Sequence, residues 1–135
     1  MTDVRLLMRG FKKFIEMEYK FKFEKLIIWQ EAMTLGDDIV KLSKKFPKTE
    51  LYNLSSQINR SVDSIALNIS EGSISQSDPE LNRFIGYAVR SLAEVVTCLH
   101  KAKNRNYISL DEFETLYNKS FILMNKLIAF KNKIK

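Results

Sequence analysis

Between Leu51 and Gly72 the chain carries two parallel rows of residues at helical spacing. One row is apolar: Leu51, Leu54, Ile58, Val62, Ile65 and Ile69. The other is polar and short: Gln57, Ser61, Ser64, Asn68 and Glu71. Each row advances by three or four residues, so each lies along one face of an α-helix. A surface helix usually flanks its apolar face with long Lys and Glu side chains. Here short hydrogen-bonding groups stand in their place. The expectation is a helix packed on more than one side, with a second, polar contact.

Three further blocks share the three-and-four spacing. The first is expected from about Glu24 to Lys45, with Leu26, Ile27, Trp29, Met33, Ile39, Val40, Leu42 and Phe46 inward or partly inward. Phe46-Pro47 ends it, because a residue before proline avoids helical dihedrals. Thr49 is the expected cap of the second helix, which runs to about Glu71, with Gly72 as a left-handed stop. Asp78-Pro79-Glu80 reads as cap, proline and first-turn acid of a third helix ending near Asn104. Its apolar row is Leu81, Phe84, Ile85, Ala88, Leu92, Val95, Leu99 and Ala102. Ser109 and Glu112 have capping-box spacing and open a fourth helix. That helix carries Phe113, Leu116, Tyr117, Ser120, Leu123, Met124, Leu127, Ile128 and Ala129. Short connections make sequential helices antiparallel. The expected fold is all-α, an up-down-up-down four-helix bundle over residues 21–135. Residues 1–20 are expected to be an N-terminal extension. Synthesis from Met17 would make residues 1–16 a misassigned start; the alternative is a short basic amphipathic arm.

At 135 residues the chain fits one domain with a sizeable core. Four glycines and two prolines leave few turns, which favours long helices. No apolar run approaches the roughly 18 residues needed to cross a bilayer, and one cysteine excludes an internal disulfide. A cytoplasmic location with no membrane partner is the resulting expectation. The net charge of +6 favours polyanionic partners, chiefly nucleic acid, or else merely keeps the protein in solution.

The residues offer little for catalysis. Cys98 and His100 lie two apart, on different helix faces, and no Glu-x-x-His pair builds a di-iron site. Cys98 reads as a small core residue, His100 as a solvated surface group, and Trp29 as core or interface filler. No phosphate loop or dinucleotide fingerprint is present. No cofactor is expected. The polar row remains, as Gln57, Arg60, Ser61, Ser64, Asn68 and Glu71 with Glu94 from the third helix. It reads either as a binding or catalytic row or as a hydrogen-bond network fixing register or subunit pairing, and the second is preferred because no nucleophile–base pair accompanies it. Lys44, Lys45, Lys48, Lys101, Lys103 and Arg105 are candidate phosphate contacts, and otherwise solvated helix ends.

With these residues in view, the sequence resembles the four-helix-bundle proteins encoded in intervening sequences of bacterial 23S rRNA genes. The resemblance covers about residues 21–130. It rests on Phe23-Glu24-Lys25-Leu26-Ile27-Ile28-Trp29-Gln30-Glu31-Ala32-Met33, Phe46-Pro47-Lys48-Thr49-Glu50, Leu54 to Arg60, Ser64 to Gly72, and Phe84, Ala88 and Ser91-Leu92-Ala93-Glu94. It implies a homopentameric ring without enzymatic activity. It also implies an RNA-linked role or, by similarity of fold to accessory proteins of diversity-generating retroelements, a scaffold for nucleic acid and a partner protein. Arg90 stands where members often have a small residue, and Ala66 where they often have proline, so the implied assembly depends on how this chain absorbs both.

Overall fold

The computed structural model describes residues 18–134. The proposed start at Met17 and the alternative basic arm lie outside the described residues. Four helices make up the fold: α1 Ile27–Ser43, α2 Leu54–Ser73, α3 Asp78–Asn104 and α4 Leu110–Lys133. Short 3₁₀ turns, Lys22–Lys25 and Lys48–Glu50, precede α1 and α2. No strand occurs among the described residues, and no helix there is long and apolar enough to cross a membrane.

Each helix packs on two others: α1 on α2 and α4, and α3 on α2 and α4. The cross-helix partners give the direction. Glu31, Asp38 and Lys45 of α1 and its C-terminal end meet Lys126, Lys119 and Glu112 of α4, numbers rising on one helix as they fall on the other. Ser61 and Ser64 of α2 meet Glu94 and Ser91 of α3 in the same sense. The result is the expected four-helix bundle, its core built from Ile39, Ile58, Ile65, Ile69, Leu92, Leu99, Leu123 and Leu127, all buried.

Several local expectations change. α1 begins at Ile27, because residues 22–25 turn as a 3₁₀ helix in which the Glu24 carboxylate accepts from the Phe21 amide at 3.0 Å. Its buried row is Ile28, Ala32, Leu35, Ile39 and Leu42, so Ile27, Met33 and Val40 face outward. Thr49 does not cap α2. Residues 48–50 form their own turn, which aims the Glu50 carboxylate into the bundle end, and α2 starts four residues after Glu50. Leu51 therefore precedes the helix and is 55% exposed. Ser77, rather than Asp78, caps α3, accepting from the Glu80 amide. The Ser109–Glu112 capping box opens α4 as expected.

Gly72 is not a left-handed stop. α2 continues through it to Ser73, and no glycine among the described residues has a positive φ. A Cβ at Gly72 would lie 2.8 Å from the Cβ of Phe84 and 3.1 Å from Leu81. The glycine lets α2 and α3 approach closely where they turn into each other.

Candidate functional site

The polar row of α2 faces α3 of the same chain. Ser61 Oγ reaches the Glu94 carboxylate and, at 2.8 Å, the Gln57 carbonyl; both are acceptors, so its one proton is shared. One turn on, Ser91 Oγ donates to Ser64 Oγ at 2.9 Å. Asn68 Nδ2 donates to the same Ser64 oxygen at 2.9 Å and to the Ser64 carbonyl at 2.8 Å. Ser61 is buried, and Gln57, Ser64 and Asn68 are half-buried. Two of these contacts, Ser61–Glu94 and Ser64–Ser91, cross between the helices and pin the register of α2 on α3. Within the chain α3 supplies a polar contact to this row, because Ser91 and Glu94, three residues apart, form a matching polar pair. Arg60 and Glu71 stand apart, exposed on the outer surface of α2. Sequence reasoning paired Glu94 with this row but missed Ser91, whose signal was its spacing from Glu94.

A second cluster went unread. Glu50 is buried at the end of the bundle. Its Oε2 accepts from Arg105 Nη1 at 2.8 Å and from the Tyr107 hydroxyl at 2.9 Å, while Oε1 accepts from Asn53 Nδ2 at 2.9 Å. The Tyr107 hydroxyl, ahead of the Asn53 and Arg105 contacts, lowers the Glu50 pKa against the cost of burial. The same bond to Glu50 raises Tyr107. Phe46 packs against the Tyr107 ring, 5.8 Å between centroids. This cluster ties the α1–α2 connection to the end of α3.

The six candidate phosphate contacts gather at this one end, because α1 and α3 both finish there. They are not equivalent. Lys45 is bonded to Glu112, Arg105 to Glu50, and Lys103 Nζ lies 4.3 Å from the centre of the Phe113 ring. Lys44, Lys48 and Lys101 have no ion-pair partner among the described residues and project from the exposed surface. Asp111 is exposed at the same end and trims the positive field.

Cys98 is buried, and burial, the largest influence on it, pushes its thiol pKa up. His100 is exposed and sits edge-on against Phe113 and Tyr117, at 4.9 and 5.9 Å between ring centres. Trp29 is half-buried and packs against Phe23 at 5.4 Å. Among the described residues no three His, Cys, Asp or Glu side chains come together.

No curated protein matches the chain. Its fold is similar to that of a solved structure from Bacteroides thetaiotaomicron, described as a protein of unknown function from the S23 ribosomal protein family. The two share a TM-score of 0.73 and 24% identity, over 78% of this chain and 98% of the other. Residues 24–129 match the family described as 23S rRNA-intervening sequence protein, a span that runs from the turn before α1 almost to the end of α4. The chain belongs to the 23S rRNA-intervening sequence protein family.

Proposed function

We propose that this protein is a non-enzymatic, cytoplasmic homo-oligomer, a pentamer by the family resemblance, that binds RNA or another nucleic acid through many weak phosphate contacts. The observation that carries the reading is the basic end of the bundle, where Lys44, Lys48 and Lys101 are exposed and free of internal ion pairs among the described residues. Three lysines on one copy form a weak site. Repeated around a ring, they multiply through effective concentration without any new contact. The net charge of +6 per chain has the matching sign. The family description itself refers to 23S rRNA.

Binding of this kind depends steeply on salt and little on sequence. Filter binding of a structured RNA hairpin tests it across a salt series. Replacing Lys44, Lys48 and Lys101 by Gln is expected to lower the log–log salt slope by about 1 for each lysine–phosphate pair removed. No measurable RNA affinity at low salt rejects the reading.

A second reading, a protein–protein scaffold without direct nucleic-acid contact, is favoured by the internal neutralisation of Lys45 and Arg105, which removes two of the six candidate cations from outside use. Pull-down of a cellular protein that survives nuclease treatment supports this reading, provided the purified chain also fails to bind RNA.

A further inference from the structure

We infer that copies of this chain join head to tail, the outward ridge of α4 on one copy seated in the α1–α2 groove of the next. The inference rests on the homo-oligomeric reading above and assigns its interface.

α4 carries two apolar rows. One is buried in the bundle: Phe113, Leu116, Leu123 and Leu127. The other runs along the outside: Leu110, Tyr117, Phe121, Met124 and Ile128. Leu110, Tyr117 and Met124 are seven residues apart, as are Phe121 and Ile128, so the outer row follows the heptad spacing of a helix–helix seam. Met124 is half-buried and the other four are exposed, Phe121 by 59%. The fold already buries the inner row and does not require the outer one. An apolar ridge of this length, about 27 Å at 1.5 Å per residue, marks a contact surface. Ala93 and Val96 of α3 border it and, with Tyr117, Phe121 and Met124, line a shallow hollow beside the ridge.

The opposite edge of the bundle has the complementary shape. α1 and α2 enclose a groove lined by Trp29, Met33, Val40, Ala66 and Leu67 around Gly36. Leu67 is 60% exposed. Gly36 sits in the middle of α1, where glycine costs roughly 1 kcal/mol relative to alanine. Nothing within the chain explains it: a Cβ there would meet no atom within 4 Å, and its φ is not positive. A bulky side chain entering from a neighbour does explain it. The rims also match in charge. Asp37 and Asp63 line the groove and have no ion-pair partner among the described residues. Arg90, exposed and also without such a partner, lies one turn before Ala93 beside the ridge. Since the α1–α2 and α3–α4 edges face away from each other, one copy cannot use both on a single neighbour. The pairing is heterologous and closes into a ring when its rotation allows. Arg90, a departure from the family's small residue, then belongs to the interface.

Two single variants, each on one face, test the pairing by light scattering, with circular dichroism to verify unchanged helicity. Phe121→Glu spoils the ridge and keeps the groove. Gly36→Gln fills the groove, at a site with open space in the monomer, and keeps the ridge. Each variant alone is expected to fall to the mass of one chain. Mixed one to one, they are expected to form a heterodimer and stop there, because only one intact ridge and one intact groove remain. A wild-type chain that is itself monomeric rejects the oligomeric reading and this interface together, and is also the outcome if residues 1–17 of the same chain cover the ridge. A wild-type oligomer whose mass survives either variant, or a mixture that stays monomeric, rejects the interface alone.

Discussion

Glu112 accepts from Lys45 and from the Ser109 amide, the latter at 2.9 Å. The Lys45 bond, followed by the backbone bond, holds its pKa down at about 2, against an ordinary 4.5. A carboxylate depressed on folding contributes stability that is fully present above its unfolded pKa and is lost as the pH falls through the folded one. The affected window therefore runs from about 4.5 down to about 2. In thermal melts across that range, Glu112→Gln is expected to be less stable than the parent at neutral pH and to lose less on acidification. Equal slopes for the two proteins would show that Lys45 and Ser109 do not set this group. Glu50 gives a second test. Replacing it by Gln weakens the hydrogen bond that, ahead of burial and the Glu50 charge, raises Tyr107, so Tyr107 is expected to titrate at lower pH in the variant, read by ultraviolet absorbance. The Lys45–Glu112 contact and the Glu50 cluster were not legible in the sequence, since Glu50 and Arg105 lie 55 residues apart and Lys45 and Glu112 lie 67 apart, and only the fold brings them together.

The elements themselves were largely written in the spacing. The apolar rows of α2 and α3 are buried nearly as read, and the Ser109–Glu112 box forms where its pattern lies. Ser109→Ala is expected to cost about 1 kcal/mol in urea denaturation, the usual worth of such a cap. Misreadings fall where one pattern admits two meanings. A glycine after a helical run signals either a turn or a close approach, and only the position of Phe84 decides that Gly72 is the second. Gly72→Ala is accordingly expected to destabilise the protein by about 1–3 kcal/mol through overpacking, although the same change in an ordinary helix interior would stabilise it. A gain in stability would mean that α2 and α3 have room to part. α1 and α4 were misread for a related reason. Each has two apolar rows, and local sequence cannot say which one faces its own core. Ile27, Met33 and Val40 were read as inward or partly inward and are exposed, as are Tyr117 and Ile128, which were grouped with the apolar residues of α4.

For the whole molecule, the seams differ in kind. α2 and α3 are joined through the Ser61–Glu94 and Ser64–Ser91 contacts as well as apolar packing, with Gly72 drawing them together. Part of the polar row, Ser61 and Ser64, is engaged in this intramolecular seam, and the apolar residues of α1 and α4 left exposed are ones that periodicity grouped with the core. The first and last helices meet through three charge pairs, Glu31–Lys126, Asp38–Lys119 and Glu112–Lys45, spaced along their length and all partly open to water. Exposed pairs contribute little singly and are screened by salt. The fold therefore has an ionic clasp laid over the apolar packing along the line where its chain closes on itself. Raising salt is expected to speed hydrogen exchange in α4 before α2 and α3, measured by mass spectrometry on peptides. If the lysine-rich end holds a nucleic acid as proposed, the ions that release it would also loosen the α1–α4 seam, so ligand release and breathing of the protein would share one control.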